Sequence, residues 1–381
     1  MKVFIVNLFL SRQGGGIFTV LKELYNSKTS RKYFKDELTF LGYNEGNAHE
    51  DVKLLNGNSF LFDKNNPFYY SRKFKNTIKE ISEESVILHL HTLWMYPSLL
   101  FSSLKQKSHF IKVISPHGML DKWALNNGSF KKKICLFLFE RKNINSANCL
   151  HALCYQEYLD IRSVSKTVPV AIIPNGITLP KNAELQYKKE KNILFLARLH
   201  PKKGLDNLIK AWGEVDTKNW NLIIVGPDEG DYEMKIKKMN STLEEGKNKI
   251  KFMGSVFGDQ KRQLYTHASM FVLPSYSEGL PMTILEAWSY KLPVLMTSEC
   301  NLNIGFEREA AIKITSTVEG IAQGLDYSIN VLKESDLMSI GANGYELVRH
   351  EFTWDQISMK MINMYNWTLG KISKPNFIHL D

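Results

Sequence analysis

Short apolar runs alternate with helical patterns along nearly the whole chain. Runs rich in β-branched and other apolar residues predict buried strands, and stretches with apolar positions every three to four residues predict helices between them. Candidate strands lie at 2–7, 37–41, 86–90, 111–115, 149–154 and 170–173 in the first half, and at 193–197, 221–225, 250–253, 270–273, 293–296 and 311–314 in the second. This alternation is typical of βαβ units, so the predicted fold class is α/β, with a parallel sheet in each half.

The length of 381 residues favours two domains, because single hydrophobic cores stop growing at roughly 250 to 300 residues. The loop that starts at Pro174 and the polar run that extends to Lys191 indicate a linker between them. We therefore expect domains at 1–180 and 181–353. The last segment, 354–381, has helical spacing from Trp354 to Tyr365, and we expect no strand after it.

Composition narrows the class of protein. The hydrophobic fraction of 44% and the charged fraction of 23% fit a folded domain, and no apolar run approaches the roughly 20 residues of a membrane helix. The apolar start at 1–10 is interpreted as a strand, since no small-residue cleavage site of a signal peptide follows it. The four cysteines lack CxxC spacing and have apolar neighbours, which indicates buried thiols and a cytoplasmic location.

The net charge of +10 resides in the first half of the chain. Residues 1–180 hold 24 Lys and Arg against 14 Asp and Glu, whereas residues 181–381 hold 25 of each. The excess clusters beside apolar residues at 72–79, Lys105, Lys107, 131–133 and 141–142. A basic, partly apolar face can lie on an anionic membrane, to which each nearby Lys or Arg contributes about 1 kcal/mol. A solvated helix face is the alternative, and nucleic acid is not expected as a partner.

Two strand-to-helix turns carry residues that suit phosphate. The first strand runs into glycines 14–16, where a ligand can approach the backbone and a helix N-terminus offers N–H groups. That turn lacks GxGxxG spacing, so a plain tight turn is the alternative. The strand 193–197 runs into Arg198 and Lys203, at the carboxyl end where open α/β sheets bind ligands. These cations suit a diphosphate, and chance surface placement is the alternative.

A third loop carries two glutamates. The strand 270–273 is followed by a Ser/Glu/Gly loop, and Pro281 occupies a first-turn position where a helix is predicted to start. The N–H groups of that helix would lie at the same sheet edge as the basic turn. Glu278 could accept bonds from sugar hydroxyls, and Glu286, one to two turns into the helix, could reach a ribose. Ordinary helix-start residues are the alternative.

Histidines follow two strands of the first half. His89 and His91 lie at i and i+2, on one face of a strand end. Zinc is not favoured there, because no Cys or carboxylate lies nearby to complete the ligands. His117 follows strand 111–115 and precedes a glycine, so it can donate to a sugar hydroxyl or a forming oxyanion. A structural role is the alternative for all three.

Taken together, these residues resemble the family 4 retaining glycosyltransferases of the GT-B fold, over nearly the whole chain. Glu278 and Glu286 match the E-x7-E pattern of that family, and Arg198 with Lys203 match its basic loop. The resemblance implies two Rossmann-like domains that face a central cleft. Residues 1–180 would bind the acceptor, residues 181–353 would bind the nucleotide sugar, and the helix in 354–381 would cross back to the first domain.

The resemblance also implies a role for each matched residue. Glu278 would contact the donor sugar, Glu286 the nucleotide ribose, and Arg198 with Lys203 the diphosphate. His117 would face the transferred sugar. The implied donor site further includes these residues: Gly15, Gly16, Gly279 and Leu280. We see no DxD-type carboxylate pair, so no metal and no other cofactor is expected.

The segments 89–94 and 117–125 resemble a bacterial subgroup that builds surface polysaccharides such as O-antigen of lipopolysaccharide, capsule or exopolysaccharide. The implied function is α-retaining, metal-independent transfer of a hexosyl-type sugar from a nucleotide diphosphate sugar to a hydroxyl of a lipid-linked oligosaccharide. Its implied place is the inner face of the cytoplasmic membrane, with an anionic membrane surface as a partner. The implied mechanism is same-face attack.

Three other classes stay open at the level of sequence. A nucleotide-sugar epimerase or phosphorylase on the same fold would need no oligosaccharide acceptor. A dehydrogenase is disfavoured, because the glycine turn lacks the dinucleotide spacing and no convincing ribose-binding acid follows strand 37–41. A non-catalytic basic scaffold would bind a membrane or protein partner and leave sugar nucleotides untouched.

Overall fold

The computed structural model describes residues 2–81, 86–104, 110–121, 129–181, 190–241 and 249–380, with side chains from Lys132 onward in the helix that begins at Ser129. It divides into two compact units, one made of 1–176 with 354–381 and the other of 177–353. The boundary at 176 lies four residues before the predicted one at 180, and most of the predicted linker, 182–189, lies outside the described residues.

The described strands number fourteen. They are β1 Lys2–Phe9, β2 Leu38–Tyr43, β3 Asn58–Phe62, β4 Val86–Leu90, β5 Phe110–Ile114, β6 Cys149–Ala152, β7 Val170–Ile172, β8 Asn192–Leu196, β9 Asn221–Val225, β10 Ile250–Phe252, β11 Met270–Leu273, β12 Val294–Met296, β13 Ala311–Lys313 and β14 Ile378–His379.

Helices alternate with these strands in both units. Those of the first unit are Gly15–Asn26, Lys28–Phe34, Ala48–Asp51, Arg72–Ile81, Tyr96–Ser103, Ser129–Cys135, the π-helical turn Leu136–Glu140, Arg141–Asn145, Tyr155–Val164 and Trp354–Thr368. Those of the second unit are Leu205–Glu214, Tyr232–Asn240, Gly258–His267, Met282–Ser289, Ile304–Glu307, Val318–Asp326, the π-helical turn Tyr327–Val331 and Glu334–Glu351. The predicted α/β class is confirmed.

Both sheets have the doubly wound strand order. The sheet of the first unit runs β14-β7-β6-β5-β4-β1-β2-β3, and that of the second runs β10-β9-β8-β11-β12-β13. All pairs are parallel except β14 with β7. The order reverses beside β1 and β4 in one sheet and beside β8 and β11 in the other. Ligands of such sheets bind at the carboxyl ends of the strands at that reversal.

The prediction that no strand follows the last helix is wrong, and β3 was not predicted. Strand β14 spans only two residues and pairs antiparallel with β7, so it is too short to show a period of two. Strand β3 lies at the sheet edge with the burial pattern exposed, half-buried, exposed, half-buried, buried. Its sequence begins with two polar residues and has three apolar residues in succession, 60–62, which is shorter than the run of about four or more on which strand prediction depends.

The last helix is an integral part of the first unit. Its apolar residues, including Trp354, Ile357, Met361 and Tyr365, lie in one core cluster with the helix Gly15–Asn26 and one face of the sheet. A Cβ at position 176 would lie 2.7 Å from the Trp354 ring, so glycine there lets the helix start pack against the chain. A separate apolar cluster covers the other face of this sheet, and the second unit has a core of its own.

Two further features bear on the sequence predictions. Among the helices described, none is long and apolar enough to cross a membrane. All four cysteines are free; Cys149, Cys154 and Cys300 are buried as predicted, whereas Cys135 is half-buried. Burial raises the pKa of the Cys149 and Cys300 thiols to about 12, so they are protonated at neutral pH.

Candidate active site

The basic turn after β8 is held against the end of β11 by a glycine. Lys203 closes a short 3-10 turn, and Gly204 follows with φ of 70°. A Cβ at position 204 would lie 2.2 Å from the Pro274 carbonyl oxygen, so only glycine allows this approach. The Tyr276 amide also donates to the Lys202 carbonyl at 2.9 Å. Lys203 is thereby brought to the loop that follows β11.

Lys203 and Glu278 form a largely buried ion pair. The Lys203 Nζ donates to Glu278 Oε1 at 2.6 Å and to Oε2 at 2.7 Å, and the two side chains are 15% and 8% exposed. The Ser275 hydroxyl donates to the same carboxylate at 2.6 Å. The backbone of Glu278 is fixed as well, since its amide donates to the Glu299 carbonyl and its carbonyl accepts from the Asn301 amide. The carboxylate is therefore fixed and charge-compensated before any ligand arrives.

Open space lies beside this ion pair at Gly279. A Cβ at position 279 would meet no atom within 4 Å, and Leu280 packs against the core. The helix Met282–Ser289 begins one residue after Pro281, which has extended backbone as its N-cap. The N-terminal N–H groups of a helix attract anions. An exposed glycine, a helix N-terminus and a lysine together make a site that suits a phosphate group.

Arg198 and Glu286, by contrast, have other partners. The Arg198 guanidinium pairs with Glu229 at 3.1 Å, and these side chains are 67% and 49% exposed. Glu286 accepts from the Lys261 ammonium at 2.6 Å and from the Tyr265 hydroxyl at 2.7 Å. Neither is hydrogen-bonded to the Lys203–Glu278 pair. Of the four charged residues predicted for this loop edge, the structure joins only Lys203 and Glu278 directly.

The glycine turn after β1 opens the helix Gly15–Asn26. Gly15 has φ of 58°, and a Cβ at Gly15 or Gly16 would meet no atom within 4 Å. The turn is anchored by Arg12, whose amide and Nε donate to the buried Asp51 carboxylate at 2.7 and 2.9 Å. Gly15 and Gly16 are therefore exposed, and the space beside them can take a ligand.

The turn after β5 holds His117 in a left-handed conformation. His117 has φ of 51° and Gly118 has φ of 75°, and such backbone is costly for a residue with a side chain. The buried Glu157 stabilises it by accepting from the Gly118 amide at 2.6 Å and from the Leu153 amide at 2.7 Å. The Nε2 of His117 lies 2.8 Å from Nδ1 of His91. Burial lowers the pKa of His117 to about 3, so the ring is neutral at pH 7.

A chain of buried side chains links the last helix to the sheet. Five hydrogen bonds join, in this order, Tyr25, Tyr365, His89, Ser115, His151 and the Ile173 carbonyl. The bond between the two tyrosines is 3.0 Å long and the other four are 2.7 Å long. The Ile173 carbonyl can only accept, so His151 donates from Nε2 and, being neutral, accepts at Nδ1. Every other bond then follows: Ser115 donates to His151, and His89 donates to Ser115 from Nε2.

His89 therefore has both ring nitrogens engaged within the fold. Its Nδ1 accepts from the Tyr365 hydroxyl, and burial lowers its pKa well below the usual range. Among the described residues, no group of three or more His, Cys, Asp and Glu is placed to hold a metal ion. His89 thus stabilises the first unit, while its neighbour His91 contacts His117.

The two basic clusters that the structure describes differ in character. In the helix Arg72–Ile81 three of the four basic residues are exposed, Lys75 is half-buried and Phe74 is buried, as in an ordinary solvated helix. In the segment 132–142, Phe137 is 87% exposed and Leu138 is 67% exposed beside basic residues. Lys105, Lys107, the Lys131 side chain and residues 122–125 of the predicted motif 117–125 lie outside the described residues.

Several contacts of the site were not predicted from sequence. Ser275 and Asn301 hold Glu278, Glu229 holds Arg198, and Lys261 with Tyr265 hold Glu286. Most of these partners are polar residues of types that are common on protein surfaces, and their spacing in the sequence matches no motif. His91 and Glu157, which hold the His117 turn, lie 26 and 39 residues from their partners.

Comparison with known proteins agrees with this architecture. Residues 178–326 match the family model described as glycosyl transferases group 1. An uncharacterized glycosyltransferase of Haemophilus influenzae is 24% identical over 77% of this chain and 81% of the relative. A Campylobacter jejuni enzyme, named as an α-1,4-N-acetyl-D-galactosaminyltransferase acting on a diphospho-undecaprenol-linked glycan, is 23% identical over 56% of each chain.

A solved structure with the same fold spans almost the whole chain. The crystal structure of Anabaena HepE in complex with UDP and glucose superposes with a TM-score of 0.72, at 15% identity, over 96% of this chain and 100% of that one. The predicted GT-B fold and the resemblance to family 4 are confirmed. The chain has the GT-B fold and is a glycosyltransferase, and the part of it that matches glycosyl transferases group 1 is residues 178–326.

Proposed function

We propose that the chain transfers a hexosyl-type sugar from a nucleotide diphosphate sugar to a hydroxyl of a lipid-linked oligosaccharide in surface polysaccharide synthesis. The observation that carries this proposal is the Lys203–Glu278 pair beside the open space at Gly279. A fixed cation, a fixed carboxylate and a helix N-terminus meet there at the reversal of strand order. A diphosphate and a sugar hydroxyl are the groups that such a site recognises.

In this proposal the second unit binds the donor. Lys203 and the N-terminus of the helix Met282–Ser289 hold the diphosphate, and Glu278 accepts from hydroxyls of the donor sugar. Arg198 leaves Glu229 to join the diphosphate, which costs little because both side chains are largely exposed. Glu286 binds the nucleotide ribose, since each carboxylate oxygen has a lone pair left after bonding to Lys261 or Tyr265.

The first unit would supply the remaining groups. Gly15 and Gly16 leave room for donor phosphate and acceptor at a helix N-terminus. His117, neutral and held by Glu157 through the turn, donates to the transferred sugar or to charge that develops on the leaving group. A neutral donor suits this role because its protonation state does not change near pH 7, so the hydrogen bond is available throughout that range.

The proposed reaction is retaining and needs no metal. The bond between the anomeric carbon and the phosphate oxygen breaks, and the acceptor oxygen attacks from the same face. The acceptor proton passes to the departing phosphate oxygen, so that no protein base is consumed. Lys203 and Arg198 stabilise the negative charge of the nucleoside diphosphate, the task that a divalent cation performs in other transferases.

The lipid-linked acceptor is supported by two observations. The Campylobacter relative is named for a diphospho-undecaprenol-linked substrate. The segment 132–142 exposes Phe137 and Leu138 among Lys133, Arg141 and Lys142. Apolar side chains among cations favour an anionic membrane surface. We therefore propose peripheral association with the inner face of the cytoplasmic membrane.

The test is transfer in vitro to synthetic polyprenyl-diphosphate oligosaccharides, with the donor series as UDP, GDP, ADP and dTDP sugars. The proposal expects one donor and acceptor pair to give product with the anomeric configuration of the donor by NMR, undiminished by EDTA. An inverted product or loss with EDTA would refute the mechanism. Epimerised donor, or phosphorolysis without an acceptor, would favour an epimerase or phosphorylase instead.

Membrane association has its own test. Flotation with vesicles containing anionic lipid should retain the protein, and Phe137→Ser with Leu138→Ser should release it while leaving the transfer to a short-chain soluble acceptor intact. Equal binding of the wild type and the variant would show that residues 137 and 138 do not form the membrane-binding surface. A protein that binds vesicles but turns over no donor would support the scaffold alternative.

A further inference from the structure

The contact between His91 and His117 joins two neutral rings. Burial lowers the pKa of His91 well below the usual range and that of His117 to about 3. Their Nδ1 and Nε2 atoms are 2.8 Å apart, so one nitrogen carries the proton and the other accepts it. Two arrangements fit that distance, and they leave different groups at the outer end of the pair.

The buried end of the pair distinguishes the two arrangements. His91 is 1% exposed, and its Nε2 is buried with no hydrogen-bond partner among the residues that the structure describes. If Nε2 carried the proton, the protein would bury an N–H donor with no acceptor, which is rare in native structures. If Nδ1 carries it, His91 donates to His117 and Nε2 keeps only a lone pair. The second arrangement leaves no buried donor unsatisfied.

The outer end of the pair then has a definite chemistry. His117 is half-buried, and its Nδ1 has no partner in the described part of the chain and is not among the buried atoms. When Nε2 of His117 accepts from His91, the proton of the neutral ring resides on Nδ1. His117 therefore presents an N–H donor and not a lone pair.

We propose that His91 is a positioning residue that holds His117 as the Nδ1–H tautomer, so that His117 donates a hydrogen bond to the sugar or to the departing phosphate. This inference rests on the proposed role of His117 as a ligand-facing residue. A neutral imidazole in water prefers the proton on Nε2, so without His91 the ring would present an acceptor to the same atoms.

Neighbouring histidines do not supply this function. The His89 ring lies 4.1 Å from the His91 ring, centroid to centroid, but its own nitrogens bond to Tyr365 and Ser115. His151 bonds to Ser115 and to a backbone carbonyl. His91 is thus the histidine that contacts His117, and its Nδ1 is the group to alter.

The tautomer can be measured directly by NMR of protein labelled with ¹⁵N in histidine rings, with signals assigned through His117→Gln. The wild type should show a protonated Nδ1 and a bare Nε2 for His117. In His91→Leu, which has no donor, the proton should move to Nε2. His91→Asn places an amide donor near the position of Nδ1, so it should keep the wild-type tautomer. A protonated Nε2 in the wild type, or no change in His91→Leu, would overturn the inference.

Kinetics provide the second measurement. His91→Leu should lower kcat on the order of tenfold with KM for the donor changed about twofold or less, and His91→Asn should recover most of the loss. Equal losses in both variants would indicate a packing role and contradict the inference. The NMR measurement does not require turnover. If the tautomers are as expected but the protein transfers no sugar, the proposed function is refuted and this inference is not. Transfer with a protonated Nε2 would refute this inference alone.

Discussion

Two cations of the same turn allow a matched test of how the site is built. Lys203 and Glu278 are 15% and 8% exposed, whereas Arg198 and Glu229 are 67% and 49% exposed. Removing one partner of a buried pair costs about 3–5 kcal/mol, because it leaves an uncompensated charge. An exposed pair contributes about 0–1 kcal/mol. Since Glu278 keeps the Ser275 hydroxyl, we expect the lower end of the range, about 3 kcal/mol, for Lys203→Met.

The assay is native-state hydrogen exchange of the buried strand β8, which reports the opening of the second unit without assuming that the whole chain unfolds in one step. Lys203→Met should lower the opening free energy by about 3 kcal/mol, and Arg198→Met, the matched control, by less than about 1 kcal/mol. Adding Glu278→Gln to Lys203→Met should restore part of the loss, because the buried charge is gone. Equal losses in the two single variants would refute the assignment of a preformed buried pair.

Three further predictions concern the turns, the histidines and the ribose. Gly204→Ala should destabilise the second unit by about 2 kcal/mol or more, and Gly279→Ala by less than about 0.5 kcal/mol; equal effects in hydrogen exchange would contradict the packing described. His117 and His151, with pKa values lowered to about 3 and about 4, bind protons more tightly when unfolded. The first unit should therefore keep its full stability above about pH 6.5 and lose it as the pH falls toward 4; a flat profile in urea unfolding would contradict this. Glu286→Gln should weaken nucleotide binding on the order of tenfold in calorimetry, and unchanged affinity would remove Glu286 from the site.

Strand prediction succeeded where burial is complete. Strands β4 and β5 are buried at every residue and appear in the sequence as apolar runs, each with one polar residue, His89 or Lys112. The strands that were missed, β3 and β14, lie at the two edges of the first sheet. Edge strands bury little and can be very short, so local pattern carries little information about them.

Prediction of the site succeeded where topology alone brings residues together. Lys203 and Glu278 follow β8 and β11, which are neighbours in the sheet, and so their contact follows from strand order. The partner of Arg198, Glu229, lies 31 residues away, and the partners of Glu286, Lys261 and Tyr265, lie 25 and 21 residues away. Those contacts depend on how side chains from separate elements meet, which no motif in the chain records.

The most direct test of the central claim is nucleotide release by the purified protein from UDP-, GDP-, ADP- and dTDP-sugars, with Glu286→Gln as the control. We predict slow hydrolysis of one donor, lost or strongly reduced in the variant. Absence of release from every donor, together with absence of nucleotide binding, would contradict the claim that this chain is a sugar-nucleotide-dependent transferase.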